Sequence, residues 1–428
     1  NTCGQTGAGD NDAICEIGGD NRIDPIAQSN VVSSADDQSV ITQDNNNVIS
    51  QINVAENDCD ENTFTDIHNN NANCVQGTFL INFVGPLDQH NSASAFGGDL
   101  IDQDNNVAVS QALLADNDCN GTGGNDVTCT NEGLNDGIDI FDFNFIQEID
   151  QFNQAGIVSS DQINDLTIGQ SGSLVNTCDE TDGGVNQATC ENIGVINFLG
   201  PVVQTNGEFD PAGNPNVVQS NGAEVTQNLD AVNDCDEAGT GFNTAVCSNN
   251  NDNFAHNNQI DSITQDNNAD ASDPGDDTVQ SNFVGIVQDL QLANVCDETG
   301  LGDNSAFCSN DIISNDANNV VGPVSQSNNP QGSGDADFTQ NNNIPTITQV
   351  INAQNDCDQS DEQTASGDNN AICTNADVVN DIDAITQDND ATGTHVDDIF
   401  QDNTGSFSQI MTLNNGCDAT TFTDSGDN

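Results

Sequence analysis

The chain has 428 residues, with a single Lys or Arg against 70 Asp and Glu, and a formal charge of −69. With Arg22 as its one basic residue it cannot neutralise phosphates, which excludes nucleic-acid binding. An anionic membrane surface repels such a chain, and no apolar run reaches the roughly 18 residues that insertion needs. Hydrophobic content is 34%, and Trp and Tyr are absent. That composition is the one found in disordered chains, so periodicity must decide whether a fold exists.

The chain opens on Asn1-Thr2-Cys3 without an initiator Met, as the mature product of an exported precursor would. The same Asn-x-Cys motif recurs at Cys59, Cys119, Cys178, Cys235, Cys296, Cys357 and Cys417, and these seven copies stand 57 to 61 residues apart. A second cysteine follows each opening cysteine except the last, at Cys15, Cys74, Cys129, Cys190, Cys247, Cys308 and Cys373. These cysteines divide the chain into a partial Cys loop at 1–15 and seven repeats: 16–74, 75–129, 130–190, 191–247, 248–308, 309–373 and 374–428. The last repeat carries an unpaired Cys loop.

Within the repeats glutamine keeps stricter time than cysteine. In chain order the sets are Gln28, Gln43, Gln51; Gln89, Gln103, Gln111; Gln147, Gln162, Gln170; Gln204, Gln219, Gln227; Gln265, Gln280, Gln288; Gln326, Gln340, Gln349; and Gln387, Gln401, Gln409. The first step is 14 or 15 residues, the second is 8 and once 9, and the next cysteine follows the third Gln by 8 in every repeat. Disordered tracts drift and do not hold such spacing. An apolar residue stands two positions before each first Gln (Ile26, Leu87, Phe145, Val202, Ile263, Val324, Ile385) and each third Gln (Ile49, Val109, Ile168, Val225, Ile286, Ile347, Phe407). That is period-two alternation, so each Gln belongs to a short strand and shares its face with apolar side chains. Two residues after the first and second Gln comes Asn, with Ile149 the one exception, and Asn, Asp and Gly clusters then predict turns. About three short strands per repeat are expected. A buried amide is costly alone, but the same Gln stacked from rung to rung at about 4.8 Å bonds to its neighbours. The 21 glutamines are therefore expected to form ladders.

The fold class that follows is all-β: a repeat protein built as a β-solenoid of stacked β-arches with disulfide-bounded loops. A seven-bladed β-propeller is the alternative, because seven repeats suit ring closure.

The apolar-x-Gln-x-Asn units resemble the curlin-type repeats of bacterial amyloid fibres, although the period near 60 and the Cys pairs depart from that pattern. Acidic, Cys-containing, Lys-poor repeats also resemble proteins of archaeal sheaths, the resistant tubes around some methanogen chains. The resemblance implies an extracellular, amyloid-like structural protein that self-assembles into a sheath, fibre or surface coat, with itself as partner. The alternative function is an acidic secreted adhesin or calcium-dependent surface binding module. Abundant cysteine without metal-ligand spacing places the chain outside the cell, at its surface.

No catalytic constellation emerges, and the expectation is a protein that is not an enzyme. The histidines His68, His90, His256 and His395 fall at unrelated repeat positions, and cysteine pairs without histidine are not a zinc ligand set. Asn57-Asp58-Cys59-Asp60-Glu61 and Asn355-Asp356-Cys357-Asp358 crowd oxygen ligands of the kind that suit Ca2+. No known calcium-loop geometry accompanies them, so no cofactor is required and Ca2+ or other screening cations are the candidates. Asn120-Gly121-Thr122 is one glycosylation sequon.

The expected disulfides are Cys3–Cys15, Cys59–Cys74, Cys119–Cys129, Cys178–Cys190, Cys235–Cys247, Cys296–Cys308 and Cys357–Cys373. A rival scheme joins the ends of each repeat, from Cys15–Cys59 to Cys373–Cys417. With 15 cysteines one is left over; the first scheme leaves Cys417, the candidate for an intermolecular bond.

Overall fold

A strand that buries one face gains most when an identical face lies directly above it, and a 60-residue repeat supplies that face again and again. The computed structural model describes residues 2–5, 11–16, 18–34, 40–62, 70–76, 80–95, 100–122, 126–132, 142–156, 159–182, 186–209, 216–239, 243–249, 257–271, 277–300, 304–311, 319–333, 336–361, 369–376, 378–394 and 398–420. One rung shows the plan. The 23-residue strand Val40–Asn62 crosses the full width of the molecule, about 75 Å at 3.3 Å per residue. The chain then returns in three shorter strands, Asn70–Gln76, Leu80–Val84 and Leu87–Ser94, before the next long strand, Leu100–Thr122.

Every strand pairs in parallel with its counterpart one rung on. The result is four parallel sheets: sheet A of the long strands, and sheets B, C and D of the three return strands. Sheet A faces the other three across a thin core. The fold is therefore a flattened β-solenoid, and there is no helix among the described residues. Strand order is linear in all four sheets, so the propeller alternative is overturned: its blades would need antiparallel strands within each repeat.

Two strand expectations are corrected. Each rung has four strands rather than about three, and the second and third glutamines of a repeat, such as Gln43 and Gln51, share one long strand. The Asn runs expected to end strands, such as Asn45-Asn46-Asn47, continue them. Asn45 faces inward and bonds to Asn105 of the next rung, so in a parallel in-register stack asparagine acts as a ladder residue and not a turn former. The repeat limits set at Cys74, Cys129, Cys190, Cys247, Cys308 and Cys373 fall inside sheet B strands.

Local irregularities have local causes. Gly194, at φ 54°, joins the sheet B strand Asn186–Ile193 to the sheet C strand Val195–Leu199, where only a residue without Cβ turns at low cost. The one nine-residue Gln step, Gln340 to Gln349, is absorbed by a register shift between Ile344 and Ile347, where Pro345 cannot donate to the ladder.

The core alternates apolar and amide bands across its width. The central band stacks Val84, Leu87, Val107, Val109, Ile146, Ile149 and their counterparts. One flanking band holds Leu113, Leu174, Leu229 and Leu290 with small alanines, and another holds Ile41, Ala93 and Ile101. Between them lie the buried amides. Beyond the leucine band lie cysteine and alanine.

Candidate functional site: amide ladders and a cysteine row

Three glutamine ladders run the height of the stack. In sheet A, Gln409, Gln349, Gln288, Gln227, Gln170, Gln111 and Gln51 form an unbroken chain, each Nε2 donating to the Oε1 of the earlier rung at 2.7–2.9 Å. The second hydrogen of each amide crosses to sheet C: Gln227 donates to the carbonyl of Asn197 at 3.0 Å, and Gln288 to that of Asn258 at 2.9 Å. The ladder of Gln43, Gln103, Gln162, Gln219 and Gln280 behaves alike towards sheet D. It is interrupted once, where Gln340 donates instead to the carbonyl of Asn328, and resumes from Gln401 to Gln340.

The sheet D ladder corrects one residue. It runs Gln28, Gln89, Gln151, Gln204, Gln265, Gln326, Gln387. Gln147, expected in the third rung, lies outside it in the link between sheets C and D. The misfit was visible in the sequence: Ile149 stands where Gln147 demands Asn, whereas Ile149-Asp150-Gln151-Phe152-Asn153 fits the motif. Phe145 consequently points outward, stacked between Phe83 and Phe198 at 5.5 and 4.7 Å. Arg22 lies over Phe83 at 5.7 Å.

The asparagine ladders were not foreseen. Asn45, Asn105, Asn164, Asn221, Asn282, Asn342 and Asn403 stack in sheet A. They interlock with Asn91, Asn153, Asn206, Asn267, Asn328 and Asn389 of sheet D. Further rows run through Asn82, Asn144 and Asn197 in sheet C and Asn117, Asn176 and Asn233 in sheet A. Their amides donate towards later rungs, opposite to the glutamines, so the two sets of aligned dipoles oppose each other. The signal was present: Asn follows Gln by two, which puts it on the same face.

Sulfur forms a row of its own. The described cysteines of sheet A (Cys119, Cys178, Cys235, Cys296, Cys357, Cys417) alternate with those of sheet B (Cys129, Cys190, Cys247, Cys308, Cys373). Each sheet B sulfur stands between the sheet A cysteine of its own rung and that of the next. Cys119–Cys129 and Cys178–Cys190 follow the expected loop scheme. Cys247–Cys296, Cys308–Cys357 and Cys373–Cys417 follow the rival scheme, replacing the expected Cys235–Cys247, Cys296–Cys308 and Cys357–Cys373. Cys190 stands at bonding distance from both Cys178 and Cys235, with Cα separations of 6.4 Å to each. Cys417 is thus joined within the chain rather than left over. The reason is geometric: parallel stacking places both partners equally near, which loop length alone does not reveal. The side chains of Cys3, Cys15, Cys59 and Cys74 lie outside the described residues, and with them the pairs expected there. Backbone register stacks Cys3 on Cys59 and Cys15 on Cys74.

Carboxylates occupy both surfaces of sheet A. Outward, Asp179, Asp236, Asp297 and Asp358 lie directly above one another. Burial, then Asp234, Asp179 and Asp297, push Asp236 up to about 6; burial, then Asp102, Asp44 and Asp161, do the same to Asp104. Inward, Glu237 and Glu298 stack beside the cysteine row, accepting from the backbone N–H of Ala188 and Ala245. Burial raises Glu298 to about 8 against the backbone hydrogen bonds it accepts from Ala245 and Ser305. Among the described residues, the sets of three metal-type ligand atoms lying within 4.8 Å of one another are cysteines, not carboxylates. His90 packs edge-on against Phe152 at 4.9 Å; His68, His256 and His395 lie outside the described residues. A hollow lined by Ser171, Gly172, Ser173, Asn228, Leu229, Asp230, Asp289 and Gln291 opens beside Gly172, and no histidine or cysteine lines it.

No known family, curated protein or solved structure matches this chain.

Proposed function

We propose that this is an extracellular structural protein whose copies stack head to tail into a fibre, sheath or surface coat. One observation carries the reading. Inward-facing positions of sheet A are sealed in the middle of the stack and open at its last rung. Phe338, Ile347, Ile351 and Ala353 are 0–1% exposed, whereas Ile399, Phe407, Met411 and Leu413 directly above them are 44–52% exposed. Among the described residues nothing covers this parallel edge, and an edge of this kind recruits another chain.

The occupant that fits is a second copy. Among the described residues, Gln409 and Gln401 present Oε1 acceptors with no later rung above them, while Gln51 and Gln43 at the opposite end have no earlier glutamine to donate to. A head-to-tail contact joins unlike ends, so it propagates as a filament rather than closing as a pair. Disulfides between sheets and an oxidising compartment are consistent with a protein that serves outside the cell. The working parts are all backbone ladders and buried amides, and the reading assigns no catalysis.

Electron microscopy and fibre diffraction test this. Native protein at high concentration with calcium should give unbranched filaments with a reflection near 4.8 Å along the axis. Ile399→Asp combined with Phe407→Asp should leave far-UV circular dichroism unchanged and abolish filaments. A native protein that stays a monodisperse monomer under those conditions would refute the proposal.

A further inference from the structure

Eleven described cysteines stand in a single file, alternately on sheets A and B, and an odd number cannot pair completely. The pattern of bonds shows where the mismatch sits. Below Cys190 the pairs lie within a rung, Cys119–Cys129 and Cys178–Cys190. Above it they bridge rungs, Cys247–Cys296, Cys308–Cys357 and Cys373–Cys417. Cys190 lies against both Cys178 and Cys235. The boundary between the two schemes therefore leaves one sheet A sulfur, Cys178 or Cys235, without a partner. Elsewhere in the file the unbonded neighbour also stays close: Cys373 Sγ lies 2.9 Å from Cys357 Sγ, although Cys373 is joined to Cys417.

We propose that the row carries one thiol that migrates along the stack by thiol–disulfide exchange. Take the thiol at Cys235. It loses its proton, and the Cys235 thiolate attacks the sheet B sulfur of Cys190. A Cys190–Cys235 bond forms, the Cys178–Cys190 bond breaks, and Cys178 leaves as a thiolate that recovers a proton. Bonds and electrons balance and no oxidant is consumed. Attack on Cys247 moves the thiol the other way, to Cys296. Each step moves it one rung, and it always rests on sheet A. The sheet B cysteines, each held between two sheet A sulfurs, stay bonded throughout. Buried thiols among acidic neighbours ionise reluctantly, so migration is slow and quickens with rising pH. At one limit the thiol arrives at Cys417, exposed on the last rung. There it is available for a covalent link to a second copy. That last use rests on the assembly reading; the migration does not.

Parity makes the proposal testable. Native protein, acid-quenched, unfolded and labelled with a maleimide, should take up one label per chain. Peptides cut at Asp and Glu should show it spread over several of Cys119, Cys178, Cys235, Cys296, Cys357 and Cys417, and absent from Cys129, Cys190, Cys247, Cys308 and Cys373. Removing a sheet A cysteine leaves an even number on either side, so Cys235→Ser, Cys296→Ser and Cys357→Ser should each label zero thiols. Removing a sheet B cysteine leaves odd numbers, so Cys247→Ser should label two. The four cysteines with undescribed side chains are even in number and leave this parity unchanged when paired among themselves. Fixed bonds predict otherwise: Cys296→Ser or Cys357→Ser would then free its partner and label two thiols. That result, or native label confined to one cysteine or found on sheet B, overturns migration. Should a variant not fold, the native label distribution decides alone.

Discussion

Gln227 shows what a single ladder residue does. Its Nε2 donates to Gln170 and to the carbonyl of Asn197, and its Oε1 accepts from Gln288, all inside a fully buried band. Gln227→Ala strands the Gln170 Oε1 acceptor and takes the side-chain donor from the carbonyl of Asn197, while Gln288 keeps the carbonyls of Asn258 and Val320; orphaned buried groups cost about 1–3 kcal/mol each. The variant should lose about 2–5 kcal/mol in denaturant unfolding. Gln409→Ala, whose amide is on the exposed last rung, should lose less than about 1 kcal/mol in the same measurement. Glu298 is the other decisive residue. Its carboxyl is raised from 4.5 to about 8 by burial, so the folded chain holds the proton that the unfolded chain releases. Below pH 4.5 both states are protonated and the group contributes nothing; as pH rises from there through about 8, stability falls. Glu298→Gln should match the native melt near pH 4 and exceed it at pH 8. Equal melts at pH 8 would mean that Glu298 ionises without cost.

At the level of elements, the long strands persist because their polar residues are paired indoors. Asn105, in the middle of Leu100–Thr122, bonds to Asn153 and Asn164, which removes the usual reason for asparagine to leave a strand. Among the described residues, one turn is set by the backbone itself. Gly194 turns the chain at φ 54°, and Gly194→Ala should cost about 1–2 kcal/mol, the penalty of the left-handed region for a residue with Cβ. Denaturant midpoints read that cost directly. A substitution without effect would place the turn elsewhere.

Across the whole molecule, charge repulsion adds to the conformational entropy that opposes the fold. The chain carries a net −69, and among the described residues in-register stacking sets outward carboxylates at successive rungs, about 4.8 Å apart along the backbone, as in the Asp179, Asp236 and Asp297 row. Like charges at that spacing oppose compaction unless screened. Melting temperature should climb with molar NaCl or millimolar Ca2+. It should also climb as pH falls towards 4, because Asp104 and Asp236, raised to about 6, then take up protons that relieve the repulsion. A melt that does not change between very low and molar salt would show that the rows are held apart by something other than screening.

The period near 60 residues, the alternation around each glutamine, the inward amides and the all-β class were legible in the chain alone, because register repeats leave their spacing in sequence. The Ile149 exception even marked the one misplaced glutamine. What the chain could not disclose was decided by stacking. Asparagine reads as a turn former until a parallel neighbour satisfies its amide, so a 23-residue strand looked like two short ones. Loop length favours bonding each cysteine to its nearer partner in sequence, yet the sheets place a second partner at the same 6.4 Å. Sequence separation measures only the chain between two residues, whereas parallel stacking makes residues 60 apart as close as direct neighbours, and that proximity set both the ladders and the sulfur row.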